Sequence, residues 1–157
     1  MRVPRILAVP VLVAMLSTAV LADHVTVDYD HAMNFGHVRT YSWSKLQTSN
    51  SIWDGHLKDA INLELTAKGW TEVPSGGAVA LVVVEKTSIW RWDGFGEPTV
   101  ASGELGTLVV SMFDGKSKHL IWRGKVSSDL SSNPDKNTKK LDKDVQKMFK
   151  NFPPRAS

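Results

Sequence analysis

An α+β two-layer fold is what this sequence predicts: a mostly antiparallel sheet of about five strands, covered by two amphipathic helices. Three observations carry that reading. Two stretches repeat apolar residues at helical spacing, 48–70 and 133–152. Several shorter stretches alternate with period two or run continuously β-branched. The order is strand, strand, helix, then three strands and a closing helix, which suits hairpins and meanders with inserted helices.

The N-terminus stands apart from that domain. "MRVPRILAVPVLVAMLSTAVLA" places Arg2 and Arg5 before an apolar run from Ile6 to Leu16, then closes on Val20, Leu21 and Ala22. That is the layout of a cleaved secretory signal peptide, so 1–22 is expected to be the signal and 23–157 the single domain. The alternative is an uncleaved helix holding the protein in the inner membrane. Pro4 and Pro10 weaken a long unbroken helix. The expected address is the periplasm or cell envelope of a bacterium. Arg2 and Arg5 also account for two units of the formal net charge of +3. The remaining domain is near neutral, so the basic balance is no nucleic-acid footprint and no nucleic-acid partner is expected. The chain has no cysteine. Stability must come from core burial alone, and a thioether-linked lipid anchor has no attachment point.

The first domain segment, "HVTVDYD", alternates Val25, Val27 and Tyr29 against His24, Thr26, Asp28 and Asp30, a half-buried strand. Asn34 and Gly36 break it. "VRTYSW" resumes an extended pattern with Tyr41 and Trp43 on one face. A helix follows. Ser51, three residues before Asp54, is the expected cap, and Trp53, Leu57, Ala60, Ile61 and Leu65 form its apolar stripe. Gly69 is its expected left-handed stop. "WTEV" starts another extended segment. "AVALVVV" is apolar throughout, which predicts a central strand covered on both faces. "IWRWDGFGEPTVASGELG", rich in glycine and broken by Pro98, is read as an irregular excursion with ragged extended ends.

Next comes "GTLVVSMFDGKSKHLIWRG", a β-hairpin with Asp114-Gly115 at the head of its turn. Trp122 shares a strand face with Leu120 and Val126 and is expected in the core; Arg123 points to the other face. In the last helix Asn133 caps, Pro134 opens the first turn, and Leu141, Val145, Met148, Phe149 and Phe152 form the buried face. Lys140, Lys143, Lys147 and Lys150 lie off it with Asp142 and Asp144 among them. Such a face admits peripheral membrane association, but the interspersed acids favour a solvated outer surface.

Taken together, "VTVDYD", "FGHVRTYSW", "LTAKGW", "GTLVVSMFDGKSKHLIWRG" and "VQKMFKNFPP" span nearly the whole domain in order. The ordered set resembles the domain of unknown function 4136 family, small exported bacterial envelope proteins, many of them lipoproteins. The chain departs from the lipoprotein members by lacking cysteine. The resemblance implies an envelope location and an α+β fold, and no reaction, ligand or catalytic residue.

No catalytic residue, metal ligand or cofactor is assigned. His24, Asp28, Asp30, His31 and His37 crowd one segment, yet the fifth and sixth positions of a calcium loop counted from Asp28 are Ala32 and Met33. There is no Gly-x-Ser-x-Gly elbow, and nothing marks a triad around His56 or His119. Asp93 and Glu97 sit in an open glycine loop rather than across a cleft. "GFGEPT" has two of the three glycines of a dinucleotide turn and leads towards a strand. The binding candidates are Trp90, Arg91, Trp92 and Phe95, aromatics and an arginine of the kind that anchor recognition loops. The competing role for the tryptophans is core burial. The expected function is a non-enzymatic interaction module engaging another envelope protein or component. A small-ligand or lipid-binding protein is the alternative, and it needs a cavity where a filled core is expected; a hydrolase stands behind both.

Overall fold

The computed structural model describes residues 24–93 and 99–153. The segment expected to be a signal peptide, Phe95 and the residues after Pro153 lie outside the described residues. In chain order the elements are β1 (His24–Tyr29), a short 3-10 turn (Phe35–His37), β2 (Thr40–Gln47), α1 (Ile52–Ala67), β3 (Thr71–Glu72), β4 (Val79–Asp93), β5 (Thr99–Asp114), β6 (Leu120–Leu130) and α2 (Pro134–Phe149).

The six strands form one sheet in the order β1-β6-β5-β4-β2-β3. The α+β class and the two helices are as expected, but the sheet is mixed. β1, β6, β5 and β4 pair antiparallel, whereas β2 runs parallel to both β3 and β4. The helix explains the parallel part. A tight hairpin can only return a strand antiparallel, while a crossover through a helix brings the next strand back parallel. α1 is that crossover between β2 and β3–β4.

A second difference concerns 89–105. Outside 94–98, which are not among the described residues, the expected irregular excursion is strand: β4 continues to Asp93 and β5 begins at Thr99, with Ile89 opposite Glu104, Arg91 opposite Ser102 and Asp93 opposite Thr99. The β-branched and aromatic residues of "SIWRW" outweigh the glycines across the pairing.

Both helices lie on the same side of the sheet as Val79, Leu81, Val83, Leu108, Val110 and Met112, all buried. The alternate residues of β4, Ala80, Val82 and Val84, are half-buried with no described element laid over them. Among the described residues the helices therefore cover one face of β4 only, not both as expected. α1 contributes Leu57, Ile61 and Leu65 to the core, and α2 contributes Val145, Met148 and Phe149. Trp122 is 1% exposed and stacks on Phe149 with ring centroids 5.2 Å apart. Phe152, just past α2, meets Phe35, Trp70, Trp122 and Phe149 edge-on at 5.1–5.7 Å. This aromatic knot ties the chain end to the sheet.

Local chemistry sets the element ends. Gly69 adopts φ +82°, the left-handed turn that ends α1. Asn133 caps α2, its side chain accepting from the Asp135 and Lys136 amides. The expected Ser51 cap does not form: Ser51 is itself helical, and the Asn50 carboxamide accepts the Ile52 N–H at 3.0 Å instead. In the β5–β6 turn the Asp114 carboxylate accepts from the Ser117 amide at 2.6 Å, the Ser117 hydroxyl at 2.9 Å and the Lys116 amide at 3.0 Å. The Ser117 backbone bond holds this carboxyl below its ordinary range.

α1 is fastened to the parallel strands by a polar network. Asn62 Oδ1 accepts from the Tyr41 hydroxyl at 2.8 Å and from Trp43 Nε1 at 3.0 Å. Asn62 Nδ2 donates to Glu72 Oε2 at 2.9 Å, and Glu72 Oε1 pairs with Lys58 at 2.9 Å. Burial first, then the Glu72 charge, push the Tyr41 phenol up to about 12.

Candidate functional site

Two features stand outside the packed core. The first is an arm made by the far ends of β4 and β5. β2 accompanies β4 only as far as Val84, and β6 accompanies β5 only from Glu104 onward. Ser49 reaches over the next part of β4, donating its N–H to Glu85 Oε2 and accepting the Thr87 N–H on its hydroxyl, both at 2.8 Å. Beyond Ile89, whose partner Glu104 still pairs with β6, the ribbon from Trp90 to Asp93, paired with Thr99 to Gly103, has no third strand among the described residues. Four paired rows at the antiparallel rise project it roughly 14 Å.

The arm holds most of the binding residues expected from sequence. Ile89 is 66% exposed, and Arg91, two residues on and so on the same face, is exposed too. Trp90 stands opposite Gly103 in the register and Trp92 opposite Ala101. The expected Phe95 contact falls outside the described residues. Arg91 is thus on an ordered ribbon rather than a loop, and Ile89 belongs with it. A lone isoleucine carries no sequence signal of function; only the free ribbon makes it notable.

The second feature is a cleft of about 600 Å³ between the N-terminal halves of α1 and α2 and the sheet. It is the cavity that a filled core would have excluded, and it has a local cause. Thr87, Gly106 and Ser128 stand side by side across β4, β5 and β6. That row is small where the next row, Glu85, Leu108 and Val126, is bulky, so the floor dips under the helices. Trp53 and Leu57 of α1 line one wall, and Thr138 and Leu141 of α2 line the other. His56 Nε2 and Asp142 Oδ1, 2.9 Å apart, link the two helices beside the opening.

Asp144 departs from the solvated surface expected of it. It is 3% exposed, with Ser128 Oγ 2.5 Å from Oδ2 and Lys147 Nζ 3.9 Å from Oδ1. Its burial follows from meeting Ser128 of β6 from α2, a partner sixteen positions away in sequence. Arg123 is exposed as expected, with Nε 3.4 Å from the Ser111 hydroxyl.

The crowded N-terminal histidines and aspartates remain dispersed. Asp30 accepts its own turn amide from Ala32, and His31 packs on the Tyr29 ring at 4.3 Å. Among the described residues no three His, Cys, Asp or Glu side chains are grouped as metal ligands, and no helix is long and apolar enough to cross a membrane.

No curated protein sequence matches the chain. Among solved structures it is similar to a PDZ domain protein from Parabacteroides distasonis, with TM-score 0.62 and 13% identity over 85% of this chain. The match covers 36% of that protein, so the chain spans about a third of its length. It is also similar to PelC from Paraburkholderia phytofirmans, a dodecamer, with TM-score 0.52 and 12% identity over 82% of this chain and 97% of that one. At these identities the likeness is one of fold. The model of the domain of unknown function DUF4136 matches residues 25–154, and the chain belongs to that family.

Proposed function

We propose that the protein is a non-catalytic binding module of the bacterial cell envelope, and that the β4–β5 arm is its contact with a protein partner. The single observation that carries the reading is the free ribbon bearing exposed Arg91, with exposed Ile89 on the same face at its base. A ribbon with two unpaired edges offers rows of N–H and C=O groups to an added strand. Its apolar and cationic side chains would give that pairing selectivity. The export-like N-terminus supports the envelope address, and among the described residues no group of His, Cys, Asp or Glu is placed to hold a metal ion. PelC, which shares the fold, is a dodecamer, so a second copy of this chain is one partner to test.

The experiment is affinity capture from the envelope fraction of the source bacterium, with mass photometry of the purified chain alongside. Wild type is compared with an Ile89→Asp, Arg91→Glu variant and a Trp90→Ala, Trp92→Ala variant, each checked for an unchanged melting curve. A discrete partner or oligomer lost in folded variants supports the reading. Equal capture by all three chains overturns it.

A further inference from the structure

We propose that the cleft between α1, α2 and the sheet binds a small cationic amphiphile, an apolar body carrying one amine or guanidine group. This site is separate from the arm and does not depend on the reading of it. Its volume of about 600 Å³ lies in the range of small-ligand sites. Its interior is apolar, formed by Leu108 and Val126 on the floor, Trp53 and Leu57 on one wall and Leu141 on the other. An apolar ligand body gains from leaving water here.

Charge selects the head group. The carboxylates lining the cleft are Glu85, Glu104 and Asp144, against one lining lysine, Lys140; Asp144 is already met by Lys147, so Glu85 and Glu104 are the selecting groups. His56 is turned to Asp142. Glu85 is held in place by the Ser49 amide and by the Thr87 hydroxyl at 3.1 Å, so its position does not have to be organised when a ligand arrives. Glu104 is exposed at the mouth, four residues along β5 from Leu108. An ammonium near Glu85 or Glu104 makes a charge-assisted hydrogen bond, while a carboxylate in the same place meets net negative charge. The site therefore separates two ligands of equal apolar size by the sign of their head group.

The test titrates the purified protein with octylammonium, octanol and octanoate, read by calorimetry and by tryptophan fluorescence, since Trp53 lines the wall. Octylammonium is expected to saturate at one site and to bind about tenfold tighter than octanoate, the effect of one charge-assisted hydrogen bond. In a Glu85→Gln, Glu104→Gln variant the two affinities should converge. Gly106→Val raises the floor, where an added Cβ meets Leu130 Cδ2 at 3.0 Å, and should abolish octylammonium binding. Thr138→Phe fills the same space from α2 and serves if the glycine variant does not fold. Equal affinity for octylammonium and octanoate, no saturable binding of either, or undiminished binding in a folded filling variant overturns the proposal.

Discussion

Replacing Asn62 by leucine tests how α1 is held on the parallel strands. The side chain keeps its size but loses the acceptor shared by the Tyr41 hydroxyl and Trp43 Nε1, and the donor to Glu72. Tyr41 is 0% exposed and Trp43 is half-buried, so neither donor regains water freely. Leaving one fully buried and one half-buried donor without this acceptor costs about 2–4 kcal/mol in total. For a domain of this size that lowers the melting temperature by roughly 7–15 °C. The assay is thermal unfolding followed by circular dichroism, with Leu63→Ser as control. Leu63 is 68% exposed on the same helix, and its change should stay within about 0.5 kcal/mol. A drop under about 2 °C for Asn62→Leu would refute the reasoning, because apolar contacts alone would then hold the helix.

Phe152→Ala should cost about 3–5 kcal/mol, since the ring meets four other aromatics; denaturant unfolding reads it. Asn133→Ala removes the acceptor for two amides at the start of α2 and should cost about 1 kcal/mol in the same assay. The phenol of Tyr41 is raised to about 12 in the folded protein, above the ordinary value of 10.0. The folded state therefore binds that proton more tightly, and its stabilising effect is complete below pH 10 and lost as the pH climbs through 12. Absorbance titration of a Tyr29→Phe variant isolates this phenol, and a midpoint near 10 would contradict the burial of Tyr41.

Much of the architecture is legible along the chain because its determinants are local. The Asn133 cap, the Gly69 stop, the Asp114 turn and the helical stripes each act within a few residues, and each forms as expected. Where Ser51 misled, two residues with capping side chains compete one position apart, and Asn50 wins. The parallel pairing of β2 is a property of the crossover and of strand order, which apolar alternation does not encode. The continuation of β4 and β5 through a glycine-rich stretch was hidden because turn residues and strand residues are mixed there; cross-strand pairing decides between them. Arg91 was legible as a binding candidate from composition alone, while Ile89 needed the ribbon. The cleft was not legible at all. It arises where Thr87, Gly106 and Ser128, far apart in sequence, fall in one row.

The most direct test of the binding role is a photo-crosslinking amino acid at position 91, compared with one at position 139 on the exposed side of α2, irradiated in living cells. A discrete adduct at position 91, absent at position 139 and reduced by Ile89→Asp, is the predicted result. No adduct at 91, or equal labelling at both positions, would contradict a partner on the arm.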